Sequence, residues 1–198
     1  MTFLSTRKGS VSVHRLSPTN ALGGEGPRTD RIGRHVLEEV PGVPLASVAS
    51  RSGREQACAS VLEELIGAAA PGPGEAVGDT ALSAFWMGPD QWMVAGPPGD
   101  RELLADELAT AFAGNASVTE QSGAWAQFDL RGEAVRDVFE RLCALPVRKM
   151  TPGIANRTRI HGIGCFAICR PAGFSILGPR SSAGSLHHAV VGAVTSVG

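Results

Sequence analysis

What most constrains this chain is a succession of short apolar segments after Val43 whose period switches repeatedly between two and 3.6 residues. Period two marks a half-buried strand and period 3.6 one face of a helix, so each switch marks a new element. The pattern predicts a strand over 45–50, then a helix over 54–66 with Ala57, Val61, Leu65 and Ile66 on one face. Apolar runs over 81–87 and 92–95 flank Gly88-Pro89-Asp90-Gln91, the signature of a β-hairpin. Asp100 is a suitable N-cap for a helix to Phe112, in which Leu104, Leu108 and Phe112 recur every four residues. Residues 125–130 alternate, with Ala126, Phe128 and Leu130 opposite Trp125, Gln127 and Asp129. A helix opened by Gly132 aligns Val135, Val138, Phe139 and Leu142 and stops near Pro146. Strands over 155–161, 165–170 and 174–177 precede a last helix over 182–194 that turns Leu186, Val190, Ala193 and Val194 inward. This order predicts an α+β fold of two similar halves, each an antiparallel sheet with helices packed on one face.

The first 42 residues differ. They are rich in Gly, Pro and Arg and hold one short strand candidate at 11–16, while 21–34 reads as a mobile arm or one ordered only by a partner. The expected organisation is therefore a flexible or partner-ordered arm over 1–42 and a single α+β domain over 43–198. Within that domain, 70–78 (APGPGEAVG before Asp79) reads as a chain break. The 198 residues are 43 % hydrophobic and 19 % charged, a globular rather than a disordered balance. No run approaches the roughly 18 apolar residues of a membrane span, and Arg7 and Lys8 are followed by no apolar block of a secretory signal. The expectation is a cytoplasmic protein.

The formal net charge of −1 conceals a segregation. Residues 1–35 carry net +4 and residues 36–140 net −12, whereas the chain after Glu140 has no carboxylate side chain and seven basic ones, Arg141, Arg148, Lys149, Arg157, Arg159, Arg170 and Arg180. Either the acidic middle and the basic end neutralise each other, or the arginines form a face for another subunit or an anionic ligand. Scarce Lys and few aromatics argue against a nucleic-acid partner.

Chemistry-bearing motifs are sparse. The P-loop, H-E-x-x-H, G-x-S-x-G and EF-hand patterns are absent, and Cys58, Cys143, Cys165 and Cys169 form no C-x-x-C pair. Cys165 and Cys169 on one strand would stand about 13 Å apart, beyond the roughly 7 Å reach of a disulfide, so the thiols are expected to be reduced core residues. Gly162-Ile163-Gly164 lies between two strand candidates with no helix after it, the context of a hairpin turn and not of a dinucleotide loop. His187 and His188 are helical neighbours that point about 100° apart and cannot act as a metal pair. His161 ends a strand with no carboxylate near it in sequence. Trp86 and Trp92 flank the hairpin as core residues or as anchors for a protein contact. Asp79 could project from a strand start into a pocket, although an exposed turn is the simpler account. No residue is assigned to catalysis, cofactor binding or metal binding.

Several of these segments resemble one family. The run Phe85-Trp86-Met87-Gly88-Pro89-Asp90-Gln91-Trp92-Met93-Val94 is similar to the W-x-G-P-D-x-W hairpin of the gamma subunit of heterotetrameric sarcosine oxidase. The likeness continues through Val118-Thr119-Glu120-Gln121-Ser122, the strand and helix from Phe128 to Phe139, and Cys143 to Val147. It extends to Gly153 to Thr158 and Arg180-Ser181-Ser182-Ala183, in the family's order. Pro146 stands where the family usually has Asp, Glu120 stands in place of Asp, and His187 and His188 replace aromatic residues. The resemblance implies a fold related to the folate-binding glycine-cleavage T protein. It also implies a non-catalytic structural role beside larger alpha and beta flavoprotein subunits and a small delta subunit. Those subunits would carry FAD, FMN, NAD and tetrahydrofolate, with no cofactor on this chain. Val77-Gly78-Asp79-Thr80 matches the T protein's glycine-rich segment with one carboxylate instead of two. The rival reading is a stand-alone folate-binding aminomethyltransferase, in which Asp79 polarises the amine and C-terminal arginines hold the anionic folate tail.

Overall fold

In the computed structural model, which describes residues 19–78, 81–99 and 103–197, the chain enters through a hairpin of β1 (Thr29–Ile32) and β2 (His35–Val40). There follow β3 (Leu45–Ser50), α1 (Glu55–Ile66), β4 (Ala76–Gly78), β5 (Ser83–Gly88), β6 (Gln91–Ala95), α2 (Leu104–Phe112) and β7 (Ala116–Glu120). The second half consists of β8 (Trp125–Gly132), α3 (Val135–Leu142), β9 (Ala155–Ile160), β10 (Ile163–Arg170), β11 (Gly173–Pro179) and α4 (Ala183–Thr195). One sheet runs β4-β5-β6-β3-β7 and the other β1-β2-β8-β11-β10-β9, with every neighbour antiparallel.

These orders are the same plan used twice. Reading β9, β10, β11 and β8 for β4, β5, β6 and β3 superimposes the two topologies, with each helix in the corresponding connection. The position held by β7 in the first sheet is held in the second by β2, a strand from the opposite end of the chain.

Side-chain alternation stacks the sheets. Ala46, Val48, Trp92 and Val94 point from the smaller sheet towards α1 and α2, and Phe128, Leu130, Ala167 and Ile176 point from the larger one towards α3 and α4. The opposite faces meet each other: Leu45, Phe85 and Met93 interdigitate with Phe166, Ile168 and Leu177, the Phe85 and Phe166 rings lying 4.9 Å apart. The result is a helix–sheet–sheet–helix sandwich. It explains the unbroken apolar run of Cys165 to Cys169, since β10 is covered on both faces. Along one edge the sheets are stitched by backbone bonds, Ala76 N–H to Gly153 O at 2.7 Å and Ala155 N–H to Gly74 O at 2.9 Å.

Five elements depart from the sequence expectations. Residues 29–40, read as part of an arm, are a hairpin of the larger sheet because Leu37 is buried opposite Leu130. The break over 70–78 ends in β4, and β7 had no counterpart among the expected strands. In α1 the buried residues are Cys58, Leu62 and Ile66, about one residue round from the face predicted. The 11–16 candidate, Asp79 and the Asp100 cap lie outside the described residues.

A charged latch ties the entering hairpin to α4. Asp30 meets His187 Nε2 at 2.7 Å and accepts from Arg28 Nε at 3.0 Å. The Arg28 guanidinium, and after it His187, holds the Asp30 carboxyl below the ordinary carboxylate range, against an opposing effect of burial. A depressed carboxyl stabilises the fold above its unfolded pKa, about 3.9, and ceases to do so as pH falls through the folded value. Asp30→Asn should therefore lower the melting temperature at neutral pH and flatten its fall below about pH 4. Melting curves between pH 2 and 7 that coincide in shape with wild type would contradict this.

Candidate functional site

Residues of both sheets border a cavity of about 410 Å³, among them Val77 and Gly78 of β4, Ser83, the 96–98 loop, Gln127 and Arg170. Gly78 adopts φ +111°, and a Cβ there would stand 2.3 Å from the Leu82 carbonyl oxygen, so glycine alone permits this border. Beyond the edge of the smaller sheet, the facing surface of the larger one turns polar. Asp129 of β8 pairs in register with Glu38 of β2 on one side and Ser175 of β11 on the other. Gln127 donates to Asp129 at 3.0 Å, and Arg170 Nε donates to Ser175 Oγ at 3.2 Å. Arg170 is exposed on its outer side, yet desolvation lowers its pKa, with nearby Asp129 pulling in the opposite direction. The arrangement is a polar shelf beside a small cavity, with one guanidinium able to meet an anion.

Most residues singled out by sequence lie elsewhere. Trp92 is 5 % exposed and donates its indole N–H to Pro71 O at 2.9 Å, so it is a core residue under α1 and α2 and no docking anchor. Its cross-strand partner Trp86 is half-buried. Gly162 forms the β9–β10 turn together with His161, whose φ is +50°. His187 and His188 diverge as their spacing requires, one buried against Phe128 and Asp30 and the other exposed. The four cysteines are free thiols, and burial pushes those of Cys58 and Cys165 up to about 11, away from reactivity. Among the described residues no three His, Cys, Asp or Glu side chains converge as metal ligands, and no helix is long and apolar enough to cross a membrane.

The arginines divide. Arg148 pairs with Asp137 and Glu140, the neutralisation of acidic middle by basic end that the charge pattern allowed. Arg180 donates to the Thr19 carbonyl, and Arg170 belongs to the shelf. Arg157 lies 5.4 Å over the Phe166 ring. Sequence reasoning missed Glu39, a carboxylate 3 % exposed that accepts from the backbone N–H groups of Leu22 and Arg28. It also missed His35, buried with neither ring nitrogen hydrogen-bonded. The only available signal was the alternation of His35, Leu37 and Glu39, which reads as polar unless Leu37 is known to face a core.

No protein-family model matches this sequence, and no curated protein sequence does. Solved structures do. A chain of the heterotetrameric sarcosine oxidase from Corynebacterium sp. U-96, solved with pyrrole 2-carboxylate, superposes with a TM-score of 0.71 over 82 % of this chain and 84 % of that one, at 22 % identity. The fold is that of this oxidase chain. Glycine cleavage system aminomethyltransferase T from Bartonella henselae superposes with a TM-score of 0.60 at 14 % identity, over 81 % of this chain and 46 % of that one. The chain thus spans about half of that protein, and its fold is T-protein-like. The fold is the one that the sequence resemblance implies.

The strand-to-helix connections described throughout carry little glycine. Pyrophosphate is held by a glycine-rich turn from strand into helix N-terminus. The three such connections described throughout run through Arg51-Ser52-Gly53-Arg54, Glu133-Ala134 and Arg180-Ser181-Ser182, with one glycine between them.

Proposed function

We propose that this chain is a small, non-catalytic structural subunit of a heteromeric, flavin-dependent amine oxidase of the sarcosine oxidase type, working in the cytoplasm. The observation that carries the reading is the end-to-end likeness to a chain of such a complex, with coverage of 82 % and 84 % on the two sides. A domain borrowed within a larger enzyme would leave much of its counterpart unmatched, as happens with the T protein. In such a complex the flavin-bearing subunits oxidise sarcosine or a related N-methyl or secondary amine. The products are the demethylated amine, hydrogen peroxide and a one-carbon unit for tetrahydrofolate. This chain contributes a rigid sandwich against which larger alpha and beta subunits and a small delta subunit assemble.

The test is co-expression with the neighbouring reading frames, with an affinity tag on this chain. Co-elution in fixed stoichiometry supports the subunit role, and a folded chain that elutes alone overturns it. The purified chain by itself should show no flavin absorbance, since none of the three strand-to-helix connections described throughout is a glycine-rich cradle for a pyrophosphate. A stoichiometric flavin spectrum would be incompatible with the assignment. The cavity beside Gly78 and Arg170 favours one further reading, an aminomethyltransferase-like protein that binds folate, since about 410 Å³ falls in the size range of small-molecule sites. Saturable binding of tetrahydrofolate to the isolated chain, lost in Arg170→Ala, would select it.

A further inference from the structure

Strand β9 is the last strand of the larger sheet, and its hydrogen-bonding directions can be assigned residue by residue. Ile154 O accepts from Cys169 N–H of β10 at 2.8 Å, whereas Ala155 N–H points the other way, to Gly74 O at 2.9 Å. Antiparallel alternation continues this sequence: the backbones of 156, 158 and 160 bond to β10, and those of Arg157 and Arg159 face away from the sheet. Both side chains are exposed. Among the described residues neither meets a carboxylate, in contrast to Arg28, Arg34, Arg131 and Arg148. Arg157 is held in place by its position over Phe166.

We infer that this edge receives an acidic, extended segment of a partner subunit as an added strand, with backbone bonds to Arg157 and Arg159 and carboxylates set against the two guanidinium groups. The inference rests on the subunit reading for its occupant. A second copy of this chain is disfavoured at the same edge because β9 against β9 would bring four arginines together, the device by which natural edges avoid self-pairing. An acidic strand reverses the sign of that effect.

Two arms test it. In the first, a synthetic peptide of alternating Glu and Val is titrated into the purified chain while amide hydrogen exchange is followed by NMR. The Arg157 and Arg159 amides should gain protection, those of Asn156 and Thr158 should be unchanged, and Arg157→Glu/Arg159→Glu should weaken binding at least about tenfold. Absence of protection at 157 and 159 overturns the inference. In the second, the complex is assembled from co-expressed subunits. Arg159→Pro removes the outward N–H together with one guanidinium and is compatible with an edge strand, so it should shorten the lifetime of the complex about fivefold, and more than Arg159→Ala does, without lowering the melting temperature of the isolated chain. Arg157→Glu/Arg159→Glu should slow association most at low salt. Wild-type kinetics in both variants overturn the inference. If the wild-type chain does not assemble at all, the subunit reading fails, and the peptide arm by itself decides whether the edge takes an acidic strand.

Discussion

Replacing Trp92 by alanine should cost the isolated chain about 3–5 kcal/mol, the range for truncating a buried aromatic residue. A typical domain has about 5–15 kcal/mol in total, so the variant should be largely unfolded under mild heating. Two effects combine. The indole leaves a void between β6 and the pair α1 and α2, and Pro71 O loses its 2.9 Å donor. Trp92→Phe fills most of the void but restores no donor, and should recover more than half of the loss. Urea denaturation of the three proteins separates packing from hydrogen bonding. A loss below about 1 kcal/mol in the alanine variant would contradict the core assignment. Trp86→Ala, at the half-buried partner across the hairpin, should cost markedly less.

The second large effect is local. Glu39 turns its carboxylate into the fold and holds the incoming segment by two backbone amides, Leu22 N–H at 3.0 Å and Arg28 N–H at 3.2 Å, while its own N–H donates to Arg28 O at 2.8 Å. Glu39→Leu retains apolar bulk and leaves both amides without acceptors, at about 1–3 kcal/mol each if they stayed buried. The cheaper response is for the segment before β1 to detach. Hydrogen exchange at Leu22 and Arg28 should then accelerate at least about tenfold, while β8 and β11 amides keep their protection. Glu39→Gln keeps one acceptor oxygen and should lie between. Uniform acceleration across the larger sheet would show that Glu39 supports the whole half and not only this segment.

The elements legible in the sequence carried a local signal, which for β8 and α2 was a period set by burial on a single face. β8 follows the alternation read from Ala126, Phe128 and Leu130, and α2 follows Leu104, Leu108 and Phe112. The hairpin of β5 and β6 was marked by its turn. β2 was illegible because two of its three inward positions are His35 and Glu39, whose burial depends on groups far away in sequence. β4 has three residues and β7 is polar and largely exposed, so neither carries a period. The site divides in the same manner. Pairing of Arg148 with Asp137 and Glu140 follows from charge segregation along the chain. The shelf of Asp129, Ser175 and Arg170 exists only because three strands distant in sequence lie in register.

Placing β2 where the repeated plan would put a strand after α4 has a consequence for synthesis. His35 pairs with Gly132, so almost the whole acidic middle must leave the ribosome before the β1–β2 hairpin can find its neighbour. The half built from β3 to β7 is closed within itself and can form while translation continues. The larger sheet must wait for β8, the strand against which the β1–β2 hairpin docks. The β1–β2 hairpin must therefore wait for a strand far along the chain, and until then Leu37 is an uncovered apolar residue in the custody of whatever shields nascent chains.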